Sequence, residues 1–131
     1  MNVFRVAHTV SRKHGAYPSG PYSQRVEPEL PAGTVENLIR PMGYAHSDDP
    51  CHPSPVYDTQ LWSIAVDEVC GMTDRPSLNE WFDGWRGRLK RYGYQVYVYE
   101  VPDEDVRVGS FGQCVFRYEN ARLIRTEEVT A

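Results

Sequence analysis

The chain has 131 residues, of which 40% are hydrophobic and 24% are charged, and its formal net charge is −4. This composition predicts one globular domain with a real core and excludes a disordered or fibrous chain. The negative charge argues against broad non-specific binding to nucleic acid or to anionic membranes. No apolar run approaches the ~18 residues of a membrane span. The three cysteines lie far apart and the N-terminal residues do not resemble a signal peptide, so we expect a cytoplasmic protein.

The N-terminal half of the sequence combines one strand with a long irregular segment. VFRVAHT, from Val3 to Thr9, predicts an opening strand that places Arg5 and His8 on opposite faces. Residues 11–59 hold eight of the ten prolines and three of the four histidines, and we expect little regular structure there beyond helical turns at 35–40. A compact domain rarely carries ~50 irregular residues unless they cover or build a site. We therefore place the working surface in this segment.

The clearest helix is predicted from Ser77 to Tyr92, where apolar residues recur at spacings of three and four. Ser77 and Glu80 predict a capping box at its start, and Gly93 predicts the cap at its end. Since a glycine costs about 1 kcal/mol in a helix interior, Gly84 favours a break into two shorter helices.

Strands account for most of the remaining chain. Residues 58–69 fit a helix and a strand equally well, and residues 70–73 are expected to form a buried segment or a turn. Strands are predicted at 94–101 and 106–109, and residues 113–118 and 121–129 are expected to form a closing hairpin. Together the elements predict a single α+β domain over residues 1–131, with a mostly antiparallel sheet.

Two groups of side chains could bind a charged ligand. Arg5 or His8 on the opening strand could hold a phosphate or a ribose hydroxyl, although a surface arginine and a hydrogen-bonded histidine are the alternative. The basic residues Arg86, Arg88, Lys90 and Arg91 could meet phosphates. A solvated helix face is the favoured interpretation of those four.

Two further groups have other chemistry. His46, Cys51 and His52 are metal-capable residue types, but they lack the paired spacings of a zinc site, so a polar turn is favoured and no metal is expected. Gln113 and Glu119 on the late strands could hydrogen-bond a sugar hydroxyl or orient a nucleophile, whereas solvated strand residues are the alternative.

Several segments, taken in order, resemble a group of small bacterial and phage proteins over nearly the whole chain. They are VFRVAHT, Gly20-Pro21-Tyr22, His52-Pro53-Ser54-Pro55 with Asp58, CGMT before the helix of Leu78 and Trp81-Phe82, VYVYEVP, and Gly112-Gln113-Cys114-Val115-Phe116. This resemblance implies no particular function.

The order of residue types is also loosely similar to the ADP-ribosyltransferase superfamily. The positions of the superfamily's characteristic residues would correspond to Arg5 or His8, then Thr73 ahead of a helix, then Gln113 or Glu119. The resemblance implies that the first residue holds the ribose of NAD, the second shapes the nicotinamide pocket, and the last steers transfer.

The same resemblance implies an aromatic side chain stacked on nicotinamide, either Tyr22 or Tyr57. The chain departs from the superfamily at two slots. The middle slot lacks a serine-rich signature, and a glutamine such as Gln113 cannot stabilise an oxocarbenium-like centre as a carboxylate does.

Two hypotheses of different classes follow. In the first, the protein is an NAD-dependent ADP-ribosyltransferase that modifies a protein or nucleic-acid target, with the proline-rich segment as its lid. In the second, it is a non-catalytic phage-encoded protein that docks on a host protein through aromatic loops. The binding residues of the second hypothesis are Tyr17, Tyr22, Tyr44, His52 and Asp58.

Overall fold

The computed structural model describes residues 1–9, 17–22, 30–55, 57–58 and 60–130. Six strands form its sheet: β1 Asn2–Ala7, β2 Glu68–Met72, β3 Gln95–Glu100, β4 Val106–Val108, β5 Gln113–Arg117 and β6 Arg122–Glu128. The α-helices are α1 Arg40–Ser47, preceded by a π-helical segment at Val35–Ile39, then α2 Arg75–Trp81 and α3 Arg86–Arg91. No helix in the described ranges has the length and apolar character needed to cross a bilayer.

The strands form one antiparallel sheet in the order β4-β5-β2-β1-β3-β6. This confirms the α+β prediction of a single small domain with an antiparallel sheet. The predicted closing hairpin is wrong, because β5 pairs with β2 and β4 whereas β6 pairs with β3 at the opposite edge. A 3₁₀ turn at Tyr118–Asn120 separates the two strands. The charged, mostly exposed sequence of β6 suits an edge strand, since exposed edges are protected by charge.

β1 separates from β2 soon after the two strands meet. β1 pairs with β3 along its whole length, but its register with β2 consists of the single pair Phe4 and Met72. Beyond that point the backbone of His8 exchanges two hydrogen bonds with Ser19 instead, with N–O distances of 2.9 and 3.2 Å. The segment 17–22 therefore takes the place beside β1 that β2 has left, and the sheet opens between the two strands.

Apolar side chains are buried on both faces of the sheet. The three α-helices cover one face, where the core consists of Val6, Leu38, Met42, Met72, Leu78, Trp81, Phe82, Leu89, Tyr94, Val96, Val98 and Val129. The other face buries Val3, Ala7, Val69, Tyr97, Tyr99, Val101, Cys114 and Phe116. Alternate residues of β1 and β3 enter different cores, as the two-residue period of a strand requires.

Two segments differ from the sequence-based expectation. Residues 40–47 form a helix inside the segment expected to be irregular. Pro41 does not prevent it, because proline is compatible with the first turn, where its missing N–H is not needed. Residues 60–67, expected as part of a helix or a strand, form turns and irregular chain, and the strand begins only at Glu68. Residues 70–72, expected as a buried segment or turn, belong to that strand.

The helical region 75–91 is broken as predicted. The chain turns at Gly84, which has a φ of +84°, and α3 begins at Arg86. α3 ends in a Schellman motif, in which Gly93 N–H donates to Lys90 and Tyr94 N–H donates to Leu89. Gly93 has a φ of +91°, so the predicted C-terminal cap is confirmed.

The N-terminal cap of α2 is Asp74 and not the predicted capping box. The Asp74 carboxylate accepts the N–H of Ser77 at 2.7 Å, and the helix begins two residues before the predicted start. We expect Asp74→Ala to lower the free energy of unfolding by about 1 kcal/mol, the usual value of such a cap. Glu80→Ala should change it by less than about 0.5 kcal/mol. Urea denaturation checks both values. A larger loss of stability in Glu80→Ala than in Asp74→Ala would contradict the Asp74 cap and favour the capping box.

Candidate functional site

A cavity of about 1200 Å³ lies where β1 and β2 separate. Its walls are β1, the segment 17–22, the end of α1 with the loop that follows it, β2, and the end of α2. Several sequence-predicted site residues line it: Arg5, Tyr17, Tyr22, His52, Tyr57 and Gln113. The cavity exists because segment 17–22 and the loop after α1 bridge the gap in the sheet instead of filling it.

Arg5 spans the gap between the strands. Its Nη1 donates to the carbonyl of Cys70 on β2 at 2.6 Å, and its Nη2 donates to the carbonyl of Pro18 at 3.3 Å. The guanidinium also lies 5.7 Å from the ring centroid of Tyr17. A side chain at Gly20 would approach Nη2 to 3.1 Å, so this glycine lets the loop pass close to the charge.

Arg5 is a buried cation without a carboxylate partner in the described part of the chain. The residue is 8% exposed, and its Nε has no hydrogen-bond partner there. Burial lowers the pKa of its guanidinium, yet arginine stays protonated in proteins. The two carbonyl oxygens compensate only part of this charge, since a buried charge requires a partner of opposite sign to offset its desolvation. The cavity is therefore suited to an anion at this point.

A second polar cluster is organised around Trp81 on another wall. The Nε1–H of Trp81 donates to the hydroxyl of Tyr22 at 2.9 Å, and its carbonyl lies 2.7 Å from Nε2 of His52. The hydroxyl of Tyr22 lies 2.5 Å from Nδ1 of His46. The rings of His46 and His52 stack with centroids 3.9 Å apart, and Nδ1 of His52 lies 3.0 Å from Asp49. One tryptophan thus holds residues from two loops and α1.

The protonation states in this cluster follow from burial. Burial, and then the charge of His52, lower the pKa of His46 to about 4, so its imidazole is neutral near pH 7. Burial raises the pKa of Tyr22, which keeps its hydroxyl protonated. The Tyr22 hydroxyl already accepts a hydrogen bond from Trp81. Its own O–H therefore donates to Nδ1 of His46. The proton of His46 is then on Nε2.

We expect the free energy of unfolding to fall as the pH drops from about 6.5 to about 4. His46 has a folded pKa of about 4 against a usual 6.5, so the unfolded chain takes up this proton first. The loss should be about 2 kcal/mol after allowance for solvent screening. Burial also lowers the pKa of His8, which acts in the same direction. Urea denaturation across this pH range checks the prediction. If the free energy of unfolding of His46→Gln falls with pH as steeply as that of the wild type, the prediction is contradicted.

Asp58 anchors the loop that closes the cavity. Its carboxylate accepts hydrogen bonds from the N–H and the hydroxyl of Ser110, from the N–H of Gln60 and from the amide of Gln113, at 2.7 to 3.1 Å. Burial alone would raise the pKa of Asp58, but these hydrogen bonds lower it. The Gln113 amide also donates to Pro53 at 2.9 Å. Asp58 and Gln113 therefore hold the chain at Pro53 and at Asp58 against β5.

Comparison with known proteins identifies a family. A family model described as bacteriophage T4 Y00F protein matches residues 1–130. The chain belongs to this family. No curated protein and no solved structure matches the chain. The match agrees with the phage part of the sequence-based expectation, and the ADP-ribosyltransferase resemblance stays a prediction.

Three of the residues predicted for catalysis lie outside the cavity of this Y00F-family protein. His8 faces the helical side, where its Nε2 donates to the carbonyl of Tyr92 and its ring meets Tyr94 edge-on. Thr73 follows β2, and its hydroxyl donates to Asp74. Glu119 is exposed in the 3₁₀ turn after β5. The expected cleft, formed by Arg5 or His8 with Thr73 and with Gln113 or Glu119, is therefore corrected to a cavity lined by Arg5 and Gln113 without Thr73.

The remaining predicted groups also have defined positions. Tyr44 is exposed on α1 and does not line the cavity. His46 and His52 stack face to face while Cys51 is exposed, and no group of three metal-capable side chains occurs among the described residues. Each basic residue of α3 has a neighbour: Arg86 pairs with Asp83, Lys90 with Glu128, and Arg88 and Arg91 lie over Trp85 and Tyr92.

Sequence reasoning missed two residues of the site. Trp81 falls in the apolar stripe of a helix, and nothing in that pattern indicates that its N–H and carbonyl organise two loops. His46 was weighed as a metal ligand, whereas it is the hydrogen-bond partner of Tyr22. The presence of Tyr22, His46 and His52 in one proline-rich segment is the signal that could have grouped them.

Proposed function

We propose that this protein of a phage family binds a small molecule of the nucleotide class in the cavity between β1 and β2, with NAD as the first candidate. The buried positive charge of Arg5 is the observation that carries the proposal. A phosphate or pyrophosphate supplies the negative charge that the described residues around Arg5 do not. The cavity volume of about 1200 Å³ is sufficient for such a ligand, since ligand pockets measure roughly 300–1,000 Å³.

The aromatic lining supports the same class. Tyr22, Tyr57, Trp81 and the stacked histidines contribute rings to the cavity, and a base can stack on any exposed ring face. Polar side chains such as Arg5, Ser19 and Gln113 reach the cavity from distinct walls, which is usual in a site that fixes a ligand in one orientation.

ADP-ribosyl transfer is the narrower form of this proposal. Such a reaction needs a carboxylate beside the sugar that is transferred. The Gln113 amide is committed to Asp58 and Pro53, and Glu119 lies outside the cavity. Asp48 and Asp49 are carboxylates that do line the cavity, so transfer in this protein would depend on one of these two residues. Incubation with labelled NAD and host lysate tests it, and no label transferred by the wild type removes it.

Calorimetric titration tests the binding proposal itself. We expect NAD or AMP to bind the wild type, and Arg5→Gln to weaken binding by at least about tenfold, because a charge-assisted contact is lost. Arg122→Gln is the matched control, since Arg122 pairs with Glu100 on the exposed edge of the sheet. Circular dichroism establishes that each variant is folded. If neither NAD nor AMP binds the wild type, the proposal is wrong.

A second candidate function, docking on a host protein, is favoured by two strained aromatic residues. Trp62 and Phe111 have φ values of 66° and 57°, in the left-handed region that bulky residues rarely adopt. Both are exposed, at 74% and 58%, and both are held through Asp58, which bonds Trp62 N–H and the neighbouring Ser110. Exposed aromatic residues on a fixed backbone are typical of binding hot spots.

Affinity capture from host lysate distinguishes the two functions. A partner retained by the wild type and by Arg5→Gln, but lost by the double variant Trp62→Ser and Phe111→Ser, favours docking. Leu123→Ser on the exposed edge strand β6 is the control for loss of surface apolar area. A partner that all three variants retain would contradict a docking role for these two residues.

A further inference from the structure

The wall of the cavity around His46 has the chemistry of a second subsite. His46 is 8% exposed, and its Nδ1 is engaged by Tyr22. Its Nε2 has no hydrogen-bond partner among the described residues, although the residue lines the cavity. Because Tyr22 requires Nδ1 as an acceptor, Nε2 carries the proton and offers a neutral donor to whatever occupies the cavity.

The environment fixes this donor in place. One face of the imidazole stacks on His52, and the rings of Tyr22, Trp81 and Phe82 surround it with centroids 5.8 to 6.4 Å away. His52 is itself held by the carbonyl of Trp81. A ring enclosed in this way cannot turn to bring Nδ1 to the cavity, so the donor is preorganised.

The charge of this wall differs from that at Arg5. Asp48 and Asp49 line the cavity beside His46 and His52, and hydrogen bonding to the N–H of Cys51 lowers the pKa of Asp49. A second anion would be repelled by these carboxylates, whereas a neutral or positively charged group would not. The exposed ring of Tyr57, with 82% of its surface accessible, lies at the same cavity and can stack on a planar group.

We propose that His46, with Tyr57 beside the cavity, forms a base subsite that takes a planar nitrogen heterocycle through a hydrogen-bond acceptor, separate from the anion position at Arg5. This inference rests on the proposed nucleotide binding and deepens it. The ligand has its anion on Arg5 and its base on the His46 wall. The subsite therefore distinguishes a nucleotide from a sugar phosphate that lacks a base.

Two substitutions of His46 separate its two hydrogen bonds. The amide of asparagine lies near the position of Nδ1, so His46→Asn keeps a partner for Tyr22 and loses the donor to the cavity. The longer glutamine reaches the position of Nε2, so His46→Gln keeps the cavity donor. Both variants lose the stacking on His52, so that loss is the same in each.

The test compares ribose 5-phosphate with AMP, UMP and nicotinamide mononucleotide by calorimetry. In the wild type we expect at least one nucleotide to bind about tenfold or more tighter than ribose 5-phosphate, through base stacking and one hydrogen bond. His46→Asn should lose about fivefold of that preference, and His46→Gln less than about twofold. The affinity for ribose 5-phosphate should be unchanged in both variants.

The outcomes distinguish the base subsite from nucleotide binding in general. Equal affinities for all four compounds in the wild type, or an undiminished preference in His46→Asn, would overturn the subsite and leave the anion position standing. Binding of none of the compounds would overturn both. If the variants do not fold, ¹⁵N NMR of the wild-type histidines decides. The Nε2 resonance of His46 should shift with the preferred nucleotide while that of His8, bonded to Tyr92, stays, and an unmoved His46 resonance would overturn the subsite.

Discussion

Replacing Gly71 with alanine should lower the free energy of unfolding by about 3 kcal/mol. A Cβ at this position would lie 2.6 Å from Cγ1 of Val3, 3.1 Å from the carbonyl oxygen of Phe4 and 3.2 Å from Cε1 of Phe116. Gly71 precedes the last residue of β2, Met72, where β1 and β2 meet. The Phe4 contact is with backbone, so relief requires β1 to move, and the walls of the cavity would move with it.

Gly87→Ala is the matched control for this prediction. Gly87 is in α3, and a Cβ there would have no atom within 4 Å. This substitution should stabilise the protein by about 0.5–1 kcal/mol, since alanine is the better helix former. Urea denaturation of both variants checks the pair. A Gly71→Ala protein as stable as the wild type would contradict the close contact of β1 with β2.

Removing the Asp58 carboxylate should lower the stability by a similar amount. Asp58→Ala leaves the partly buried N–H of Ser110 without its acceptor and removes one of the two acceptors of the buried Gln113 amide, and we expect a loss of about 3 kcal/mol in the free energy of unfolding. The chain near Pro53 and Tyr57, which line the cavity, should also lose its attachment to β5, so nucleotide binding should weaken in the same variant. Denaturation and calorimetry on one preparation measure both consequences.

The pH dependence gives this prediction a second readout. Hydrogen bonds hold the pKa of Asp58 below its usual 3.8, so the unfolded chain takes up the proton first as the pH falls. The stabilising contribution of the Asp58 carboxylate is complete above pH 3.8 and is lost as the pH falls below it towards the lower pKa of the folded state. Asp58→Ala should therefore show less acid destabilisation below about pH 4 than the wild type. Glu104→Ala removes an exposed carboxylate and is the control. If Asp58→Ala lowers the free energy of unfolding by no more than Glu104→Ala does, the anchoring role of Asp58 is contradicted.

Local pattern predicted the elements whose sequence signal is strong. The β-branched and aromatic residues of VFRVAHT predicted β1, and the glycines at 84 and 93 predicted the break and the end of the helical region. Strand pairing could not be predicted in the same way, because β5 and β6 are adjacent in sequence and lie near opposite edges of the sheet. α1 was missed because its proline suggested irregular chain, although proline is compatible with a first helical turn.

The candidate site was predicted in part. The proline-rich segment does supply walls of a cavity, and Arg5 and Gln113 reach it from distant strands. His8 does not line it, because its imidazole is held at the end of α3 by the carbonyl of Tyr92 and the ring of Tyr94. The role of Trp81 could not be foreseen, since it depends on where two loops cross the end of α2.

The most direct test of the account is an NMR titration of the ¹⁵N-labelled protein with AMP and with NAD. The central claim is that the gap between β1 and β2 is a ligand site with an anion on Arg5. It predicts saturable shifts of the Arg5 Nε–H and of the backbone amides of Gly20 and Cys70, which surround the guanidinium. Saturable shifts confined to other surfaces, or no shifts with either nucleotide, would contradict it.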